Sequence, residues 1–378
     1  MKKIFDSFFY CLKRLFCYRL YTVKWCNGVL SKQKLDLEKN KLRKCAKIYK
    51  KKWGALSRLV SNKYFKIFAP YTGYNIDVVP EDVLHHIIEP ILNPYEYQSL
   101  YEDKNFFSKF LQPSFLPKEI LRCMRGFFYS GNFERIEENC VAAYLQKNCY
   151  DGKRYILKPT VNSCSGRGIV FFEKKEDNLC VVGQEGSIVD YINKMGGKNF
   201  VIQECLSQSA FMSQFNRTSI NTIRVCVYKS VLTNESHVTA AIMRIGRKDS
   251  LIDNAHAGGA FVGVSLEGRL GKYVIDQYGT KETVFNGIDF SKEEFVIPHF
   301  DRVIAFSKQV ADKCVHHKLF ALDVMMNEQD CPVLIEYNLT AFSSWLFEFA
   351  GVSPFGQYTD EIIDYCAKNK KIKRIYIV

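Results

Sequence analysis

Leu319-Phe-Ala-Leu-Asp-Val-Met-Met326 and Val333-Leu-Ile-Glu-Tyr-Asn338, joined by a short turn over Asn327 to Pro332, decide the reading of this chain. Each run is apolar enough to be a buried strand, and each carries one acid, Asp323 and Glu336. A buried carboxylate is costly unless a cation or a hydrogen-bond network offsets it. Two acids and the Asn338 amide on adjacent strands would form an oxygen-rich cluster, a donor set that suits Mg2+. Beside phosphate-binding elements, such a cluster would make the chain an ATP-using enzyme.

Candidates for those elements lie upstream. Tyr155-Ile-Leu-Lys-Pro-Thr160 leads into Val161-Asn-Ser-Cys-Ser-Gly-Arg-Gly168 and then Ile169-Val-Phe-Phe172, which reads as strand, small-residue loop, strand. Ser163, Ser165, Gly166 and Gly168 allow backbone N–H groups to point at an anion without steric cost, and Lys158 at the strand end can place its ammonium on the same anion. Any β-hairpin can carry such a loop, so it argues for phosphate only in company with the acid pair. Phe200-Val-Ile-Gln-Glu-Cys-Leu206 is an apolar strand ending in the polar pair Gln203-Glu204. Its backbone can read an adenine edge; the other reading is an ordinary solvated strand end.

Arg224 and Arg244 sit on consecutive candidate strands among apolar neighbours, and buried arginine is rare unless paired. They either clamp a γ-phosphate or form a structural ion pair with Glu336 or Asp323. In Asp253-Asn-Ala-His-Ala-Gly-Gly259, His256 could bind substrate or assist proton transfer; the alternative is a solvated loop histidine.

The 378 residues, 47% hydrophobic and 14% aromatic, suffice for two or three lobes. The 14 cysteines include no C-x-x-C pair, and several, such as Cys205 and Cys226, lie in strand-like runs. That pattern implies reduced, buried thiols in a cytoplasmic protein. Finger-like Cys/His spacing is absent, and the adjacent pairs His85-His86 and His316-His317 point apart on a helix, which argues against zinc.

Charge is uneven. Residues 1–66 hold nineteen Lys/Arg against three acids, a net of +16, so the other 312 residues carry −3 of the total +13. The basic character belongs to an N-terminal extension, which argues against a nucleic-acid binder. Lys13, Arg14 and Arg19 interrupt Met1 to Trp25, which is therefore neither a secretory signal nor a spanning helix. On a helical wheel Phe5, Phe8, Phe9, Leu12, Leu15, Phe16 and Leu20 share one face, with Lys2, Lys3, Lys13, Arg14 and Lys24 mostly elsewhere and Arg19 breaking the pattern. This suits an interfacial helix on an anionic membrane, or a helix packed on the chain's own body or on a second copy in a homodimer. Residues 32–66 read as a second basic helix.

Pro70, Pro80, Pro90 and Pro94 punctuate short helices, and residues 100–150 read as mainly helical. Strands are predicted over Arg154 to Val161, Gly168 to Glu173, Lys198 to Leu206, Ser219 to Ser230, His237 to Arg247, Ala260 to Ser265 and Leu270 to Ile275. A helix over Asp301 to Lys318 precedes the two acid-bearing strands, and another over Gln357 to Lys368 follows them. The fold class is α+β with a large antiparallel component.

Together these residues resemble the ATP-grasp superfamily, in particular its sugar-transfer-associated branch. The matching order is Asp103-Lys104, Leu157-Lys158-Pro159, the Ser163-to-Gly168 loop, Gln203-Glu204, Ser219-x-Asn221-Thr222-x-Arg224, Asp323 and Glu336-x-Asn338, over roughly residues 100–345. The resemblance implies two α+β lobes gripping ATP, with the basic helical extension outside them. The expected division is 1–66 extension, 67–150 helical substrate region, 151–206 small lobe and 207–378 large lobe.

The resemblance also implies roles. Lys104 and Lys158 contact the ATP phosphates, the 163–168 loop is a lid, and Gln203, Glu204, Cys205 and Leu206 form the adenine hinge. Gln208 or Gln214 holds the ribose in place of the usual acid. Asp323, Glu336 and Asn338 hold one or two Mg2+ ions. The implied reaction activates a small carboxylate as an acyl phosphate and joins it to an amine, with an amino sugar or lipid-linked sugar of a surface polysaccharide as acceptor. Phosphorylation of a sugar or lipid hydroxyl on the same scaffold, or a non-catalytic ATP-binding subunit, are the other readings. Location on the inner membrane face follows from residues 1–66.

Overall fold

A computed structural model describes residues 11–12, 14–33, 35–161, 168–176, 178–250, 253, 255, 258–340 and 342–369. The chain divides into two units: Ser99–Gln208 with Val333–Glu336, and Met1–Gln98 with Ser209–Pro332 and Tyr337–Val378.

The smaller unit is built on β1 (Glu119–Met124), β2 (Phe127–Ser130), β3 (Arg135–Ile136), β4 (Arg154–Pro159), β5 (Val170–Lys175), β6 (Asn178–Val181) and β7 (Phe200–Glu204). They form one sheet, β3-β2-β1-β7-β4-β5-β6, antiparallel at each pairing. Leu121, Cys123, Tyr155, Leu157, Phe172, Phe200 and Ile202 bury one face against Val141, Leu145, Ile188 and Ile192 of two helices, Val141–Asn148 and Ile188–Lys194.

Residues 100–150 hold more helix than strand, but the strands β1, β2 and β3 within them were not expected. Arg122, which reads as a solvent position, is fully buried in β1 and bonded to Glu119, Ser108 and the Asn105 carbonyl. The β1–β2 turn is Arg125-Gly126, both at positive φ, a hairpin turn without its usual Asn or Asp. Both features hide the strands from pattern reading.

The larger unit carries β8 (Thr222–Lys229), β9 (Ser236–Ile245), β10 (Ala260–Val264), β11 (Val274–Ile275), β12 (Lys281–Glu282), the small pair β13 (Val284–Phe285) and β14 (Ile288–Asp289), β15 (Leu319–Met326) and the two ends of β16 (Pro332–Asn338), whose Val333–Glu336 belong to the smaller unit. Its sheet order is β12-β11-β10-β9-β8-β15-β16. The Phe300–Lys313 helix buries Val303, Phe306 and Val310 and packs on β8, β9 and β15.

The expected separate extension over 1–66 is corrected. Trp53, Tyr64, Phe65 and Phe68 share one core with Cys226, Tyr228, Ile242, Phe261, Trp345 and Phe349. Two helices, Lys39–Gly54 and Asn62–Thr72, therefore belong to the body of the larger unit. Fully burying side chains of this size stabilises by about 1.5–3 kcal/mol each, more than the solvation of their lysine neighbours requires them to forgo. Phe342 and Trp345 belong to this core as well.

Candidate active site

Asp323 and Arg224 are register partners on β15 and β8, so their side chains leave the sheet on one face side by side. Arg224 donates from Nε and Nη2 to the two oxygens of Asp323, 2.8 Å each, a bidentate pair. Arg244 on β9 donates from Nη1 to Asp323 Oδ2 at 3.0 Å and from Nη2 to Asp253 Oδ1 at 2.6 Å. Asp253 Oδ2 in turn accepts from the Thr222 amide at 3.1 Å and from its hydroxyl. Two acids and two guanidiniums thus alternate in one chain, anchored to the β8 backbone at Thr222.

Asp323 is 4% exposed. Burial pushes its carboxyl upward, but Arg224 and Arg244 outweigh that and hold it below the usual carboxylate range. The ion-pair reading of the arginines is therefore realised with Asp323; Glu336 pairs instead with a lysine. Asn338 donates from Nδ2 to the Ala321 carbonyl at 3.2 Å, which leaves its Oδ1 as the oxygen available to a cation.

In the smaller unit Asp103 caps the short 3-10 helix Lys104–Phe106, accepting from the Asn105 amide at 3.0 Å. This aims Lys104 Nζ at Glu336 Oε1, 2.6 Å away, and the Lys104 amide at the Thr160 carbonyl, 3.3 Å away. Lys158 lies at the end of β4. Burial and then the neighbouring Lys104 charge push its pKa down to about 8, with Glu336 acting in the opposite direction. A cluster of two lysines and one acid carries net positive charge, which suits phosphate.

Gln203 is buried in β7, and the amides of Glu204 and Cys205 are spent on the carbonyls of Lys118 and Arg154. Glu204 also pairs with Lys153. Cys205 and Leu206 lie just beyond the end of β7, and Gln208 forms a β-bridge just before the helix Ala210–Ser213. Gly168 has φ +73°, and a Cβ there would stand 2.9 Å from Pro159 Cγ, so the return from the loop requires glycine. Ser163, Ser165, Gly166 and His256 lie outside the described residues.

Asp323 and Asn338 fall in the larger unit and Glu336 in the smaller. Among the described residues no group of three His, Cys, Asp or Glu could hold a metal by itself. Each residue expected to hold Mg2+ offers a carboxylate or amide oxygen, a hard donor of the class that ion takes. Sequence reading left Asp253 without a role, because a lone acid nine residues after Arg244 has no spacing signal. Thr160 and Thr222 stood in the quoted stretches without a role of their own; both act in part through the backbone.

The antiparallel sheets and the residues they carry define an ATP-grasp protein. The chain belongs to the sugar-transfer-associated ATP-grasp family, which matches residues 85–358. No curated protein matches the sequence. Among solved structures, the ATP-grasp ligase PsnB, complexed with a phosphomimetic variant of minimal precursor, Mg and ADP, is 14% identical, with a TM-score of 0.40 over 73% of this chain and 62% of that one. D-cycloserine synthetase DcsG is 10% identical, with a TM-score of 0.41 over 74% and 73%. A biotin carboxylase–β-γ-ATP complex from Campylobacter jejuni is 10% identical, with a TM-score of 0.42 over 75% and 48%. This chain spans 62% of the PsnB chain's length, and the family assignment rests on the sequence match.

Proposed function

We propose that the chain is an ATP- and Mg2+-dependent ligase. It would join a small carboxylate, such as an amino acid, to the amine of an amino sugar or lipid-linked sugar during surface-polysaccharide synthesis, in the cytoplasm at the inner membrane face. The observation that carries this reading is the buried Arg224–Asp323–Arg244 node. A core does not need three charged groups on adjacent strands, whereas phosphoryl transfer needs cations held ready for three phosphate oxygens.

In this reading a substrate carboxylate oxygen attacks the γ-phosphorus as the bond to the β,γ-bridging oxygen breaks and ADP leaves. The acceptor amine then attacks the acyl carbon, inorganic phosphate leaves, and the amine proton passes to a base. Lys104 and Lys158 hold the phosphates, and Ser163, Ser165, Gly166 and Gly168 close over them. Gln203 to Leu206 seat the adenine and Gln208 the ribose. Arg224 and Arg244 exchange carboxylate for phosphate oxygens as charge builds there. Asp323, Glu336 and Asn338 would hold Mg2+, which supplies charge neutralisation on the phosphates. His256 is assigned to substrate binding or proton transfer.

The test is ADP release from Mg·ATP across panels of carboxylates and amino sugars, with product mass read alongside. Asp323→Asn and Glu336→Gln should each lower turnover by about a thousandfold or more. Turnover intact in both variants would sink the metal assignment. ADP release that does not depend on the carboxylate would instead indicate a hydroxyl kinase.

A further inference from the structure

The helical stretch that opens the described chain has two apolar sides. Through the π-helical run Tyr18–Trp25 and the helix Cys26–Lys32, the inward side buries Cys17, Thr22, Cys26 and Val29. Trp25 stacks on Tyr64 and Phe68 from the same side. That side is fully accounted for by the core. The other side is not: Leu12, Leu15, Phe16 and Val23 are 45%, 56%, 50% and 36% exposed. With Arg19 they fall at i, i+3, i+4, i+7 and i+11, one continuous stripe at helical spacing. The apolar face expected from sequence is therefore turned outward at Leu12, Leu15 and Phe16, which disfavours one of the alternatives set out above, packing on the chain's own body; Phe5, Phe8 and Phe9 lie outside the described residues.

Basic charge accompanies the stripe. Arg14 Nη2 donates to Ser57 Oγ at 2.8 Å, which ties the stripe's helix to the segment just after the Lys39–Gly54 helix, where Arg58 and Leu59 are exposed. The Lys39–Gly54 helix buries Ala46, Tyr49 and Trp53 and leaves Lys39, Lys41, Arg43, Lys44, Lys47, Lys50 and Lys51 exposed. No acid occurs from Lys39 to Ile76. A polyanion such as RNA would satisfy the lysines but leave the leucines and Phe16 in water. An anionic bilayer satisfies both, since acyl chains meet the apolar stripe and headgroups meet the lysines.

We propose that this surface seats the protein on an anionic lipid bilayer. Leu12, Leu15, Phe16 and Val23 lie at the headgroup–acyl boundary, and the exposed lysines of the Lys39–Gly54 helix lie among the headgroups. No described helix is long and apolar enough to span a membrane. The surface sharpens the inner-membrane part of the functional reading but stands independently of the ligase chemistry.

The experiment is flotation of the full chain with vesicles of phosphatidylcholine alone and with 30% phosphatidylglycerol. Binding should require the anionic lipid and weaken as salt rises. The combined variant Leu12→Ser, Leu15→Ser, Phe16→Ser, Val23→Ser should reduce binding at least about tenfold, with circular dichroism and Tm unchanged because these side chains already face solvent. Lys44→Gln, Lys47→Gln, Lys51→Gln should reduce it by a similar factor and flatten the salt dependence. No binding to anionic vesicles, or equal binding by the serine variant, would overturn the proposal. So would a concentration-dependent dimer that the serine variant abolishes without any vesicle binding, or tighter binding to single-stranded RNA than to vesicles. Solution ADP release by both surface variants should match the parent chain, so a membrane failure and a ligase failure read out separately.

Discussion

The larger unit contains two buried acid networks, and they are built differently. In the Asp323 network the donors to the central carboxylate are side chains, Arg224 and Arg244, on neighbouring strands. In the second network Glu81, His85 and Glu89 lie four residues apart on one helical face. His85 sits between the two carboxylates, Nε2 2.6 Å from Glu81 and Nδ1 2.8 Å from Glu89. Their other oxygens accept from the Ser344 hydroxyl at 2.6 Å, the Trp345 amide at 3.0 Å and the Phe342 amide at 3.4 Å. Donors on long side chains can exchange one anion for another; backbone amides cannot leave. The first network is therefore suited to hand its cations to a ligand, and the second is a clasp that fixes residues 342–345, a few positions beyond Asn338.

The largest expected difference follows from that contrast. Asp323→Asn should cost turnover above all. His85→Gln should cost stability above all, about 3–5 kcal/mol, because it leaves two buried carboxylates without their cation. Denaturant melts of both variants, set beside their ADP-release rates, check this. If Asp323→Asn is destabilised as much as His85→Gln yet still turns over, the two networks are alike and the first is structural too.

Acidity and alkalinity should separate them next. Burial pushes the His85 pKa down, but Glu89 and Glu81 outweigh it and raise it to about 10 from 6.5. A raised folded pKa gives stability that is complete below about 6.5 and disappears as pH climbs towards 10. Glu81 is shifted the other way: burial opposes its ionisation, but His85, Ser344 and the Trp345 amide prevail and lower it below 4.5. Its contribution is present above 4.5 and is lost on acidification. Asp323 likewise loses its contribution only as pH falls below 3.8. Tm of the parent chain should therefore decline between pH 6.5 and 10 more steeply than Tm of His85→Gln, and the gap between the two should narrow with pH. A constant gap would show that His85 is not the charged centre of the clasp.

The two networks were unequally legible. Asp323 and Arg224 announce themselves because each interrupts an apolar strand pattern, and strand pairing then places them opposite one another. Glu81, His85 and Glu89 sit in a proline-punctuated stretch of mixed polarity, where acids read as surface. Tertiary packing against residues 342–349 and against Tyr21 buries them. Similar physics hid β1, whose Arg122 is neutralised in the core by Glu119. It also hid how the helices of residues 39–72 pack into the core, since their lysine count outweighs the Tyr49, Trp53 and Phe65 side chains that anchor them. Charge balance inside a fold depends on partners distant in sequence, and periodicity carries no record of them.

Asp253 belongs to the first network but has a feature of the second: one oxygen takes the Thr222 amide. It touches Arg244, not the candidate metal ligands, so it is a positioning residue. Asp253→Asn keeps an acceptor for the amide and removes the charge that orients Arg244. Stability should fall by only about 1–2 kcal/mol. If Arg244 serves phosphate, KM for ATP should rise about tenfold, with a smaller effect on kcat, because a misdirected guanidinium weakens phosphate binding before it affects the chemistry. A variant that loses Tm but keeps KM would assign Asp253, and Arg244 with it, to structure. The ligand-exchanging part of the network would then reduce to the Arg224–Asp323 pair.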